Sequence, residues 1–269
     1  MNAPDKAEAK AAYVLQREEG GVATLTLNRP KQFNAISAQM LDELEAALTE
    51  VAADAEVRVV VIAGAGAAFS GGHDLKEMMA NRTQEFIGEL FAHCSRVMLQ
   101  IQAMPQPVIA RVHGIATAAG CQLVAACDLA VASAEACFAT SGINFGLFCA
   151  TPGVPVSRNI SRKRAFEMLF TGEFIDAATA LDWGLVNRVV PAQRLDDEIG
   201  LLCKSMIEKP SAVCAAGKKL FYEQIESRLA NAYRIASVAI TENMLGEDAA
   251  EGVGAFIEKR QPVYRRRGK

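Results

Sequence analysis

Apolar residues recur at two spacings along the chain, and the change from one to the other marks its elements. In Val22–Leu27, Ala23, Leu25 and Leu27 alternate with Val22, Thr24 and Thr26, the period of a strand with one buried face. Tyr13–Glu18 reads as its partner strand across a turn at Gly20-Gly21. Ser37 is placed to cap a helix in which Met40, Leu41, Leu44, Leu48 and Val51 fall on one face. Val57–Ala63 contains VVVI, the β-branched run of a strand buried on both faces. A small-residue loop follows over Gly64–Ala68, and a long helix is predicted from Thr83 to Met104, stopped by Pro105 and Pro107. Val108–Val112 and Leu129–Ser133 read as further strands around an Ala/Gly-rich helix over Ala116–Ala126.

Strand and helix thus alternate, which predicts an α/β core with a parallel sheet built from βαβ units. From Ser161 the spacing is almost wholly helical: Arg164–Phe170, Ala177–Trp183, Leu195–Ile207, Ala212–Ile225 and Ala230–Leu245, with one strand at Leu185–Val190. The expected organisation is a tail over 1–10, an α/β core over 11–195 and a helical region over 196–269.

Composition narrows the functional classes. Of 269 residues, 51% are hydrophobic and 22% charged, enough apolar material to exclude disorder along the whole chain. Lys+Arg number 28 against 31 Asp+Glu, and the one basic run, Arg265–Arg267, reads as a solvated tail, so nucleic acid is not the expected partner. No membrane is expected either: Arg111, His113, Gln122, Asp128 and Glu135 break the most apolar stretch, from Val108 to Thr140, short of the ~18 residues a span needs. The first residues mix acid and base without an apolar run, and no Arg precedes Arg17, so neither a secretory signal nor a transit peptide is expected. Seven cysteines form no CxxC; free thiols in a reducing compartment, the cytoplasm, are expected rather than disulfides or a metal site.

Two glycine-rich segments stand between a buried strand and a helix: Phe69-Ser70-Gly71-Gly72-His73-Asp74-Leu75 and Ala118-Ala119-Gly120-Cys121-Gln122. Small residues allow a ligand close to the backbone, and a helix start presents free N–H groups with partial positive charge. Two such groups converging on one oxygen make an oxyanion hole. The spacing alone is common among α/β proteins. There is no GxGxxG, GxxxxGK[ST] or GxSxG to support dinucleotide, P-loop or hydrolase readings.

With these segments in place, the chain resembles the enoyl-CoA hydratase/isomerase (crotonase) superfamily over almost its whole length. The matching residues are Leu27-Asn28-Arg29-Pro30-Lys31 with Asn34-Ala35, Gly64-x-Gly66, Phe69–Leu75, Pro107-Val108-Ile109-Ala110, Gly120-Cys121-Gln122-Leu123, Cys127-Asp128, Gly184-Leu185-Val186 and Glu251–Arg260. GHDL with AAGCQL, FAT and GLFC-TPGV look nearest the enoyl-CoA hydratase domain-containing protein 3 group. The resemblance implies a spiral of stacked ββα units, a helical C-terminal trimerisation region, a homotrimer or homohexamer, and an acyl-CoA substrate with no cofactor beyond it. It implies oxyanion N–H groups at His73 and Ala119. It implies a CoA groove along Lys31, Phe33 and Ala35, with Gly71, Gly72, Asp74, Leu75 and Gln122 beside it. Phe256 and Lys259 match positions that meet the nucleotide end of CoA, often from a neighbouring subunit.

The departures from the family pattern bear on activity. The two glutamate positions of family hydratases fall on Gln122 and Gly142, and neither an amide nor a glycine acts as a general base. Efficient hydration is therefore not expected, whereas a backbone hole survives. That leaves an acyl-CoA enzyme working through a thioester enolate, by atypical hydration, isomerisation or decarboxylation, or a non-catalytic acyl-CoA-binding or regulatory protein of fatty-acid metabolism. Ser141 and Asn144 are candidate polar groups that orient substrate or water. His73 either titrates in the site or contributes only its backbone; His93 and His113 read as structural, and Cys121 and Cys149 as inert.

Overall fold

The computed structural model describes residues 12–264, so the expectations for the tail over 1–10 and for Arg265–Arg267 lie outside it. The strands are β1 (Val14–Glu19), β2 (Val22–Leu27), β3 (Val59–Gly64), β4 (Ala68–Ser70), β5 (Val108–Val112), β6 (Ile115–Thr117), β7 (Leu129–Ser133), β8 (Cys137–Ala139), β9 (Ile175–Asp176) and β10 (Arg188–Val190). The helices are α1 (Ala38–Ala53), α2 (Leu75–Ala80), α3 (Gln84–Ala103), α4 (Ala119–Ala126), α5 (Ala150–Asn159), α6 (Arg162–Thr171), α7 (Ala177–Trp183), α8 (Leu195–Ile207), α9 (Ser211–Ile225), α10 (Leu229–Met244) and α11 (Glu247–Glu258).

Two mixed sheets result. The first runs β1-β2-β3-β5-β7-β10 and is parallel except for the β1–β2 hairpin; the second runs β4-β6-β8-β9, with β9 antiparallel to β8. The chain lays a long strand in the first sheet, bends, lays a short one in the second and then turns through a helix, as in β3–β4–α2 and β5–β6–α4. This is the spiral the sequence resemblance implied. The bends are tight: a side chain on Gly64 would lie 2.5 Å from Phe69 O, and one on Gly114 would overlap Ala67 O.

The predicted core formed as read. Ser37 Oγ accepts from Met40 N at 3.2 Å, and the five apolar residues named for α1 are all buried. In β3, Val60 and Ile62 pack against α1, α3 and α4, while Val59 and Val61 meet Leu195, Ile199 and Cys203 of α8 on the opposite face. All seven cysteines are free.

Two readings need correction. Ala116 and Thr117 are strand, not helix: α4 starts at Ala119, because the chain first runs extended beside β4 and β8. The strand read over Leu185–Val190 is only β10; Leu185 and Val186 are buried in the turn after α7, where both N–H groups reach Ala180 O. The second sheet and α5 were not predicted at all. Strands of two or three residues carry no alternation, and Pro152 and Pro155 mask a helix.

Candidate functional site

The site grows from one asparagine. Phe33 and Asn34 both take left-handed backbone conformations, φ 51° and 52°, after a single 3-10 turn over Pro30–Gln32. Asn34 is fully buried, and its Nδ2 donates to Ala65 O, Ala68 O and Phe69 O at 2.8, 2.8 and 3.2 Å while its Oδ1 accepts from Arg29 N. The bend between β3 and β4 is thereby fastened to the loop carrying Lys31 and Phe33. Ser70 Oγ completes the link, donating to Asn34 O and accepting from Gly72 N.

Past Gly72, His73 forms an isolated parallel bridge with Ile36. Gly71 N donates to Phe33 O, Ile36 N to Gly72 O and Asp74 N to Ile36 O. In such a bridge the bonded groups come from the residues on either side, and the bridging residue's own N–H points away. Gly72 and Asp74 both face Ile36, so the N–H of His73 faces the other way. The start of α4 stands beside Gly72: a side chain on Gly72 would come 2.9 Å from Ala118 Cβ and 3.3 Å from Ala119 N. A side chain on Gly120 would overlap Ser70 O. These contacts, with φ +91° at Gly72, explain the glycines.

Ala118 caps α4 at φ 50°, ψ −118°, a conformation costly for any residue with a Cβ. Its N–H is held by Ala139 O at 3.0 Å. The next N–H, that of Ala119, is the first of the helix and has no carbonyl partner within it. Among the described residues neither His73 N nor Ala119 N is engaged by an acceptor. Two N–H groups without an acceptor among the described residues therefore lie close together beside Gly72, one of them carrying the partial positive charge of a helix start. Such a pair can stabilise negative charge developing on a carbonyl oxygen.

The side chains around this point are almost without acid or base. Gln122 is 2% exposed, and its Oε1 has no hydrogen-bond partner among the described residues. Helical side chains lean back toward the preceding turn, which here carries Ala118 and Ala119. At Gly142 the 3-10 turn Ser141–Phe145 folds back so that Leu147 N donates to Gly142 O at 3.0 Å. A Cβ there would overlap Leu147 O and lie 2.8 Å from Cys149 Sγ. Ser141 Oγ shares a 2.7 Å hydrogen bond with Thr117 Oγ1, one residue before Ala118. Asn144 is directed elsewhere, donating to Gly172 O at the end of α6.

The histidine question resolves toward packing. His73 Nδ1 lies 3.1 Å from Ile36 O, an acceptor only, so this nitrogen carries the proton, and the ring stands edge-on to Phe91. Burial, only partly offset by the bond to Ile36, lowers its pKa and keeps it neutral. His113 Nε2 is bonded to Gly66 O and His93 Nε2 to Glu45. Asp74 caps α2 and pairs with Arg29 at 2.9 Å. Burial works against its charge, yet Arg29 and the Lys76 and Glu77 N–H groups hold its carboxyl below the usual range. Burial pushes the Cys121 thiol up to about 12 and raises Cys149 as well, so neither is a thiolate at neutral pH.

The structure brings together Gly71, Gly72, His73, Ala119, Gln122 and Ser141. Phe33, 58% exposed, adjoins Gly71, and Lys31, Ala35 and Leu75 border the same loop. It does not bring in Phe256 or Lys259: Phe256 is 84% exposed on α11, and Lys259 ends that helix. Sequence reading gave no role to Asn34, Ser70 or Thr117. The one available hint was an asparagine, tolerant of left-handed backbone, ahead of a Ser-Gly-Gly run. Among the described residues there is no cluster that could hold a metal ion, and no helix is long and apolar enough to cross a membrane.

The chain as a whole is similar to known proteins. The family model described as enoyl-CoA hydratase/isomerase matches residues 17–267. The mitochondrial enoyl-CoA hydratase domain-containing protein 3 of Rattus norvegicus is 42% identical, covering 97% of this chain and 87% of the relative. A crystal structure of an enoyl-CoA hydratase from Mycobacterium smegmatis is 57% identical over 94% of this chain and 98% of its own, with a TM-score of 0.92. That of human enoyl Coenzyme A hydratase domain-containing protein 3 is 43% identical over 94% and 100%, with a TM-score of 0.91.

Proposed function

The chain belongs to the enoyl-CoA hydratase/isomerase family, with the α/β crotonase fold, and we propose that it binds acyl-CoA thioesters and polarises their carbonyl between His73 N and Ala119 N. The observation that carries this reading is the close placement, beside Gly72, of two N–H groups with no acceptor among the described residues. The family supplies the acyl-CoA class of substrate. Gln122 in place of one acid, and a backbone closed over Gly142 in place of the other, support weak hydration. Each general acid or base is worth ~10²–10⁴-fold, so losing both removes most of a hydratase's rate.

Reactions that need only the hole remain. In a malonyl-type thioester, cleavage of the bond to the carboxylate releases CO₂ and leaves its electron pair as an enolate whose oxygen sits between the two N–H groups. Water then returns a proton to the α-carbon. The alternative reading, an acyl-CoA-binding or regulatory protein, is favoured by the Gln122 amide, whose unpartnered Oε1 cannot act as a general base. The purified chain incubated with crotonyl-CoA and with methylmalonyl-CoA, alongside calorimetric titration with butyryl-CoA, separates these. CO₂ release supports the enolate enzyme, saturable binding without turnover the binding protein, and no binding refutes both.

The reading extends to assembly. α9 and α10 contain no buried residue, and Leu229, Tyr233, Leu245, Phe256 and Ile257 are each at least 69% exposed. A trimer or hexamer would cover these faces and carry Phe256 and Lys259 to a neighbour's CoA. Light scattering should report three or six chains; a monomer at micromolar concentration contradicts it. The rat relative's name places that protein in mitochondria, whereas the cytoplasmic reading of this chain rests on its free thiols.

A further inference from the structure

A helix lying on a globular core ordinarily turns an apolar stripe inward. α9 buries none of its residues fully: Ala212, Val213, Cys214, Ala215, Lys218, Leu220 and Tyr222 are half-buried, while Phe221 and Ile225 face outward, 53% and 57% exposed. Its grip on the core is a buried polar network. Lys218 Nζ donates to Asp128 Oδ2 at 2.6 Å, to Ile101 O at 2.7 Å and to Gln106 O at 2.8 Å, using all three ammonium protons. Asp128 Oδ2 also accepts from Val108 N at 2.6 Å, and Oδ1 accepts from the Tyr222 hydroxyl at 2.8 Å. The Lys218 and Asp128 side chains are 7% and 15% exposed. One carboxylate thus joins α9 to the end of α3, the start of β5 and the turn before β7, and every polar atom of the pair is satisfied. None of these residues belongs to the candidate site.

A buried ion pair adds little net stability, because desolvation offsets the Coulombic gain; its better-attested use is to fix one arrangement among several. Apolar contact tolerates sliding. Three N–H bonds to fixed oxygens do not. We propose that the Asp128–Lys218–Tyr222 network is a positioning device: it sets the direction in which α9 leaves the core, and through α9 places α10 and α11 against a second copy of the chain. α9 is about 22 Å long, so a tilt of roughly 10° at the network displaces its far end by about 4 Å, more than an interface can absorb. Burial keeps the Tyr222 hydroxyl protonated and donating, with Asp128 adding to the effect. The inference rests on the assembly reading given above.

Light scattering at micromolar concentration, thermal unfolding by circular dichroism and butyryl-CoA titration test it on the full chain. Lys218→Met leaves Asp128 without its counter-charge; if it does not fold, the double variant Asp128→Asn with Lys218→Met decides, since both partners are then neutral. The expected result is a folded double variant whose apparent association constant falls at least tenfold, with a smaller fall for Tyr222→Phe. A folded double variant that assembles as tightly as the natural chain overturns the proposal. So does a double variant that no longer folds, because the network would then hold the core together rather than orient the arm. A monomeric natural chain is a separate result: it removes the assembly reading and this one with it, while leaving acyl-CoA binding to be judged by the titration.

Discussion

The two sides of the candidate site are built from different materials. On one side His73 and Ala119 present backbone N–H groups, and the geometry is fixed by Asn34, Ser70 and the close approach of Gly120 to Ser70 O. On the other side stand Gln122, Gly142 and Ser141, where a hydratase needs side chains that exchange protons. The first side is over-determined; the second has an amide oxygen with no partner and a glycine with no room. On the proposed reading, the site keeps the part that stabilises an oxyanion and lacks the part that moves protons. Backbone donors are insensitive to side-chain substitution, whereas acid–base chemistry rests on single residues.

The sharpest way to break this contrast is Ala119→Pro. Ala119 is the first residue of α4, where proline is well tolerated, so the fold should survive while one proposed donor disappears. The expected cost is about 3 kcal/mol in any enolate-forming reaction, read as a ~10²-fold fall in kcat/KM, with weaker thioester binding. Unchanged rate and affinity in a folded variant would misplace the hole.

Restoring acids probes the other side. Gly142→Glu should fail as a repair: its Cβ overlaps Leu147 O, so the loop must move, at about 2–3 kcal/mol in chemical denaturation. Gln122→Glu fits the space but buries a carboxyl, costing about 1–2 kcal/mol. Acting alone it should raise crotonyl-CoA hydration by less than ~10-fold. A large gain from Gln122→Glu would show that one acid suffices.

What was legible in the sequence follows the same division. Long strands and α1 were legible because period and capping are local: Ser37 with Met40, Leu41, Leu44, Leu48 and Val51 specify one amphipathic helix. The motif residues could be found because glycines at 72 and 120 answer steric demands that leave no alternative. The second sheet was illegible because its strands are two or three residues long and are defined only by their neighbours. The closure of Leu147 over Gly142 was equally hidden, since nothing local in the segment announces that the chain doubles back. Asn34, named only as a motif residue, gained its role when three distant carbonyls met at its Nδ2.

Smaller effects refine the account. Ala118→Gly relieves a non-glycine residue at φ 50°, against the extra chain entropy glycine brings to the unfolded state. A net gain of up to ~1 kcal/mol is expected in the free energy of unfolding from chemical denaturation, with binding retained; a loss would mean that the Ala118 methyl packs more than it strains. The smallest effect is a pH slope. Because burial lowers the His73 pKa, the unfolded chain takes up a proton there more readily than the folded one. Stability should be intact above the ordinary histidine value of about 6.5 and decline as pH falls below it. His73→Leu should flatten that decline, with His113, shifted in the same direction, supplying what remains. An unaltered slope would place the His73 ring in solvent.

The central claim is that thioester binding and proton transfer have come apart in this site. Occupancy and turnover of crotonyl-CoA measured in one sample test it most directly, with binding followed by calorimetry and water addition by loss of the conjugated enoyl absorbance. The account predicts saturable binding, with hydration at least ~10²-fold slower than a family hydratase that carries both acids, assayed alongside. Saturable binding with hydration at the rate of that hydratase would contradict it.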